Sequence, residues 1–114
     1  MRSERLYLQD IADKIDEIGL IVSSVSDYDH FATSDILQSA IVFKLIVIGE
    51  AANHISQKIK KENPTIPWMQ MIGMRNFAAH AYFGLSWKLI WETAMNDVPL
   101  LKPEIQKILN QLQE

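Results

Sequence analysis

Arg75, Asn76, His80 and Tyr82 fall inside one otherwise apolar, helix-forming run, Met71-Ile72-Gly73-Met74-Arg75-Asn76-Phe77-Ala78-Ala79-His80-Ala81-Tyr82-Phe83-Gly84. Polar groups in such a setting must find partners or do chemistry, because burying them unpaired costs free energy. A histidine and an arginine beside a scissile phosphate suffice for RNA cleavage without a metal. Imidazole titrates near neutral pH, so it can take a proton from a ribose 2′-OH or give one to the leaving oxygen. Guanidinium stays charged and can pair with phosphoryl oxygens as negative charge develops on them. One histidine does not readily perform both transfers, whereas a dimer with facing strips supplies two of each group.

On an ideal helix Arg75 and Tyr82 lie about 20° apart and Asn76 and His80 about 40° apart, while Arg75 and His80 are separated by about 140°. Ala79 lies between Arg75 and His80, and its small side chain leaves a notch across which a long arginine can lean. The result is a concave polar strip that a second surface must close. An Arg-His-Tyr set on a helix is more commonly a hydrogen-bonded packing network than an active site. The bare Arg-x4-His spacing does not separate the two.

Length and composition narrow the setting. A chain of 114 residues forms one domain, 1–114, with one core. With no cysteine there is neither a disulfide framework nor a thiolate metal site. No His/Asp/Glu set shows ligand spacing, so neither metal nor cofactor is expected. Residues 1–9 carry Arg2, Glu4 and Arg5 with no apolar segment after them, which does not read as a secretory signal. The most apolar run, 36–52, is interrupted by Gln38, Lys44 and Glu50 and reads as a buried helix, not a membrane span. A cytoplasmic protein is expected. The net charge of −3 is uneven: eight acids and three bases in 1–35, six acids and eight bases in 36–114. Lys58, Lys60, Lys61, Arg75 and Lys88 are candidates for a local basic groove despite the acidic total.

The elements that must position the polar run are all helical. Leu8, Ile11, Ile15, Ile18, Val22 and Val25 draw one apolar stripe on a helix from Arg5 to about Val25. The segment 26–34 reads as a loop, with Thr33 or Ser34 as N-cap of the next helix. That second helix is expected from Asp35 to about Lys60, apolar nearly all round between Ala40 and Ala52. Its Gly49, Ala51 and Ala52 permit close approach of a neighbour. Pro67 suits the first turn of a third helix, and Gly84 is placed for a left-handed C-cap. Ser86 can cap a fourth, and Pro99 and Pro103 break or kink the chain before a final piece carrying Ile105, Ile108, Leu109 and Leu112. No strand pattern competes, so the fold expected is all-α, an antiparallel up-and-down bundle of four or five helices.

Among the remaining candidates, Glu50 is a carboxylate in an apolar helix and should pair with a base, Arg75 being one. His54 reads as an ordinary polar or packing residue, and His30 as solvated in an acidic loop. Trp68, Trp87 and Trp91 could stack on bases, but core or dimer packing is the better reading for Trp87 and Trp91, one turn apart. Met69, Met71 and Met74 read as core or interface filler.

The set Gly49-Glu50-Ala51-Ala52, Ile66-Pro67-Trp68, Arg75-Asn76-x3-His80-x-Tyr82-Phe83-Gly84, and Trp91 with Asn96-Asp97-Val98-Pro99 resembles the HepT-like branch of the HEPN superfamily. These are toxins paired with minimal nucleotidyltransferase antitoxins. The likeness covers almost the whole chain in the expected order. It departs at Ala81, where an acid is frequent, and at Ser86, which replaces a common acid. The resemblance implies a HEPN-like bundle, homodimerisation, and an Arg-x4-His endoribonuclease centre at the dimer cleft that acts on RNA. Arg75 and His80 would be catalytic, Asn76 supporting, and Tyr82 the acceptor of nucleotidyl transfer from the antitoxin. Two other readings stand beside it: a non-catalytic HEPN module that docks with and is modified by a nucleotidyltransferase, and a purely structural helical dimer.

Overall fold

A computed structural model describes residues 2–112; the outermost residues of the expected 1–114 domain lie outside that range. The chain is an all-α bundle measuring 44 × 26 × 25 Å, with no strand among the described residues. Its helices are α1 (Glu4–Ser24), α2 (Tyr28–Ala32), α3 (Asp35–Asn53), α4 (Gln57–Glu62), α5 (Trp68–Phe83), α6 (Trp87–Glu92) and α7 (Lys102–Gln111). Helix α3 is the central element, packing most extensively on α5 and α1. That follows from its sequence, because a helix apolar nearly all round must pack on several sides at once, although Phe43 is left 58% exposed. Ile41, Leu45, Ile48 and Ala52 of α3 are fully enclosed.

Side-chain caps begin the early helices where the sequence supplies them. Ser3, Asp27, Ser34 and Ser56 each accept a hydrogen bond from the backbone N–H three residues on, satisfying donors that the first turn leaves free. Of the two N-cap candidates for α3, Ser34 does the work, accepting from Leu37 N–H at 3.2 Å.

Four expectations are corrected. The segment 26–34 is not all loop, because Tyr28–Ala32 forms a short helix that seats Phe31 fully inside the core. The long second helix does not reach Lys60. It stops at Asn53, where the N–H groups of His54 and Ile55 turn back to the carbonyls of Ala51 and Ala52, and Ser56 caps a new helix. Glu4 Oε1 accepts from Ser56 N–H at 2.6 Å, fastening this joint to the start of α1. Gly84 is right-handed, and the left-handed residue is Leu85, with φ 59°. Helix α5 ends one residue later than the glycine suggested, and Ser86 N–H closes the turn onto the Ala81 carbonyl at 2.8 Å. Finally, of the break or kink expected at Pro99 and Pro103, there is no break. The helix running on from α6 loosens into a π turn (Thr93–Asp97), tightens into a 3₁₀ turn (Val98–Leu101) and continues as α7. Each proline stands second in its piece, where its fixed φ suits the helical backbone.

Candidate functional site

Helix α5 turns Trp68, Met71, Met74, Ala78 and Ala81 into the core at three- and four-residue steps. That stripe fixes the helix's rotation and decides what faces outward: Asn76, His80 and Tyr82 are exposed and Arg75 is half-buried. Of the three methionines read as filler, Met71 and Met74 are buried, while Met69 is 78% exposed. The close approach of α3 and α5 rests on Gly49. A Cβ built there would lie 2.7 Å from the Arg75 backbone nitrogen and 3.1 Å from the Ile72 carbonyl oxygen.

Asn76 and His80 line one open cavity of about 380 Å³, with Phe77, Ala81, Ser86 and Leu89. Ser86, in the turn that ends α5, contributes to the lining, and the His80 carbonyl accepts from Gly84 N–H at 2.9 Å. Arg75 and Tyr82 do not line this cavity. Tyr82 packs edge-on against Trp87 at 5.3 Å between centroids, tying the end of α5 to the start of α6. The polar strip is thus real on one helix, but within a single copy its four members divide among three surroundings.

Arg75 Nη1 donates to Glu50 Oε1 of α3 at 2.6 Å, the pairing the sequence suggested. His54 Nε2 lies 3.2 Å from the other oxygen, Oε2. The bond from Arg75, and after it the bond from His54, hold the Glu50 carboxyl below its ordinary pKa. A guanidinium has five N–H donors, so this contact leaves most of the fork available to a phosphate. His54 is thus more than the ordinary polar or packing residue its sequence setting suggests. Its signal was the Glu50-x3-His54 spacing, which puts the two side chains one helical turn apart.

The tryptophans behave as packing residues. Trp91 is buried, stacked obliquely on Phe31 at 5.2 Å, and Trp87 meets Phe31 edge-on at 6.3 Å. Among the described residues no group of three or more His, Cys, Asp or Glu is arranged to hold a metal ion. No described helix is long and apolar enough to cross a membrane.

An all-α bundle with a histidine-bearing cavity and an arginine elsewhere on the same helix fits a HEPN-like domain. The comparisons make this more specific: the family described as Ribonuclease HepT-like matches residues 11–108. The chain is 36% identical over 107 residues to "Probable ribonuclease HepT" of Thermococcus cleftensis, covering 94% of this chain and 96% of that protein. It is 34% identical over 113 residues to "Putative RNase MJ0125" of Methanocaldococcus jannaschii, covering 99% and 97%. A similar protein of Caldanaerobacter subterraneus subsp. tengcongensis, "Putative RNase TTE0752", is 30% identical over 109 residues, covering 96% of each. No solved structure matches the chain. The protein belongs to the HepT-like ribonuclease family.

Proposed function

We propose that the protein is a metal-independent endoribonuclease, the toxin of a HEPN/nucleotidyltransferase toxin–antitoxin pair, acting as a homodimer. The observation that carries this is the pairing of His80 with Asn76 on an open cavity, one helix turn from an Arg75 whose guanidinium is oriented from one side only. In this reading His80 removes the proton of a ribose 2′-OH, and the oxygen attacks the adjacent phosphorus. Arg75 stabilises the charge that builds on the phosphoryl oxygens. The 5′ oxygen leaves with a proton from the second copy's histidine, giving a 2′,3′-cyclic phosphate and a 5′-hydroxyl. Asn76 holds the geometry of the site. A second copy is part of the proposal because Arg75 and His80 do not share a cavity within one chain.

The direct test is an RNA digest in chelator with wild type, Arg75→Ala and His80→Ala. Cleavage by wild type and its loss in both variants is expected; undiminished cleavage by His80→Ala would remove the enzymatic reading. The exposed edge of Tyr82, 39% accessible, favours it as the acceptor of a nucleotidyl group from the antitoxin. Modification there would place negative charge where an RNA backbone must lie. The same exposure serves the second reading, a binding module modified by its partner without cleaving RNA. Mass measurement after incubation with ATP and the neighbouring nucleotidyltransferase tests the modification, and the digest tells the two readings apart.

A further inference from the structure

The Arg75–Glu50 contact continues beyond Glu50 into α1. The two oxygens of the Glu50 carboxylate are held from different sides, Oε1 by Arg75 Nη1 at 2.6 Å and Oε2 by His54 Nε2 at 3.2 Å. The His54 ring in turn lies flat on the ring of Tyr7, with centroids 4.7 Å apart and planes 6° from parallel. Tyr7 is anchored as well. The guanidinium of Arg2 sits 4.8 Å from its centroid, and Arg2 Nη1 pairs with Asp10 Oδ2 at 2.6 Å. A run of contacts therefore passes from α1, through the C-terminal end of α3, to the middle of α5.

Three of these side chains are close to half exposed, at 52% for Glu50, 46% for His54 and 36% for Arg75. Ion pairs in such surroundings add little stability. What the arrangement does supply is aim. A glutamate and an arginine at the surface sample many rotamers, and each fixed partner, Arg75 on α5 and His54 at the end of Glu50's own helix, removes some of them. Histidine at 54 suits that task, because its flat ring can stack on an aromatic face and present an edge N–H donor at the same time. The donor role requires the proton on Nε2, the tautomer that Oε2 favours.

We infer that His54, braced on Tyr7, is a positioning residue that aims the Glu50 carboxylate and, through it, the phosphate-binding guanidinium of Arg75. Neither side chain touches the RNA in this scheme. The inference rests on the ribonuclease reading and assigns a part to two residues outside its Arg-x4-His centre. Because Arg75 keeps its charge when His54 is lost, the effect falls on the step in which the guanidinium must be aligned.

The test is steady-state cleavage of an RNA substrate by the full-length protein, with the melting midpoint measured on each variant. His54→Ala is expected to lower kcat by roughly 10-fold or less, short of the ~10²-fold that a misplacement of about 1 Å can cost, with little change in KM. His54→Gln, which puts an amide N–H near the place of Nε2, should recover most of the rate. Tyr7→Phe should stay within about twofold of wild type because it keeps the stacking face, and Tyr7→Ala should resemble His54→Ala. Wild-type kinetics in His54→Ala, while Arg75→Ala is inactive, would overturn the inference and leave the ribonuclease reading standing. A lower rate that His54→Gln does not restore, accompanied by a lower melting midpoint, would also overturn it, since it marks a merely structural residue. If wild type itself cleaves no RNA, the underlying reading fails and the inference with it.

Discussion

The close approach at Gly49 of the two helices that carry the candidate site can be tested by adding one methyl group. In Gly49→Ala the new Cβ would meet the Arg75 backbone nitrogen at 2.7 Å and the Ile72 carbonyl oxygen at 3.1 Å. Neither atom can swing aside as a side-chain tip could. To restore an ordinary contact of about 3.5 Å, α3 and α5 must part by roughly 0.8 Å at this point. Overpacking of this kind costs about 1–3 kcal/mol. Alanine's helix preference over glycine returns about 1 kcal/mol of it. Gly73 provides the control within the same pair of helices, because a Cβ there meets nothing within 4 Å. Gly73→Ala should therefore gain about 1 kcal/mol from propensity alone. Comparing the two variants cancels the propensity term and isolates the clash, leaving a gap of about 1–3 kcal/mol. For a chain of this size that corresponds to roughly 4–13 °C between the melting midpoints. Thermal and urea unfolding of both proteins measure it. Equal midpoints would refute the reasoning, since they would mean that α3 and α5 are not in backbone contact at Gly49. The shift should also move Arg75, so Gly49→Ala is expected to lose RNA cleavage while still folded.

Other expectations follow from single contacts. Phe31 is fully buried between Tyr28, Trp87 and Trp91, and Phe31→Ala should cost about 3–5 kcal/mol in urea unfolding, a near-wild-type value showing that α2 is not part of the core. The Glu50 carboxyl is held below its ordinary pKa, so whatever it adds to stability is present above the normal glutamate range and disappears as pH falls through its lowered value. Wild type should therefore exceed Glu50→Gln in unfolding midpoint at pH 7, with the difference closing as the pH falls below the ordinary glutamate range; a difference that widens in acid would contradict the sign. Leu85 holds φ at 59° with 71% of its surface exposed, so Leu85→Gly should relieve about 1 kcal/mol of backbone strain with little packing lost, read as a higher melting midpoint.

Much of this protein was legible in the order of its residues. The stripe from Leu8 to Val25, the all-round apolar character of 40–52 and the absence of any alternating pattern together determine an all-α bundle with α3 at its centre, because burial periodicity is a local property. The pairing of Glu50 with Arg75 was legible for a similar reason: a lone carboxylate in an apolar helix needs a cation, and few were available. The family pattern was carried by short local runs. Boundaries were less legible. The break at 54–56 depends on Glu4, half a chain away, reaching Ser56 N–H, and the left-handed turn fell on Leu85 because the closing hydrogen bond to Ala81 set the length of α5.

Only the tertiary structure decided how the polar strip is shared out. Angular spacing on an ideal helix put Arg75 with Tyr82 and Asn76 with His80, and the second grouping reappears in the cavity. Which neighbour each side chain meets, however, is set by the rotation of α5 against α3 and α6, and that comes from core contacts spread over the whole chain. The same holds for Tyr7 and His54, 47 positions apart, whose stacking no local pattern announces. Periodicity specifies which face of a helix is buried; contact between separate helices is a property of the packed bundle.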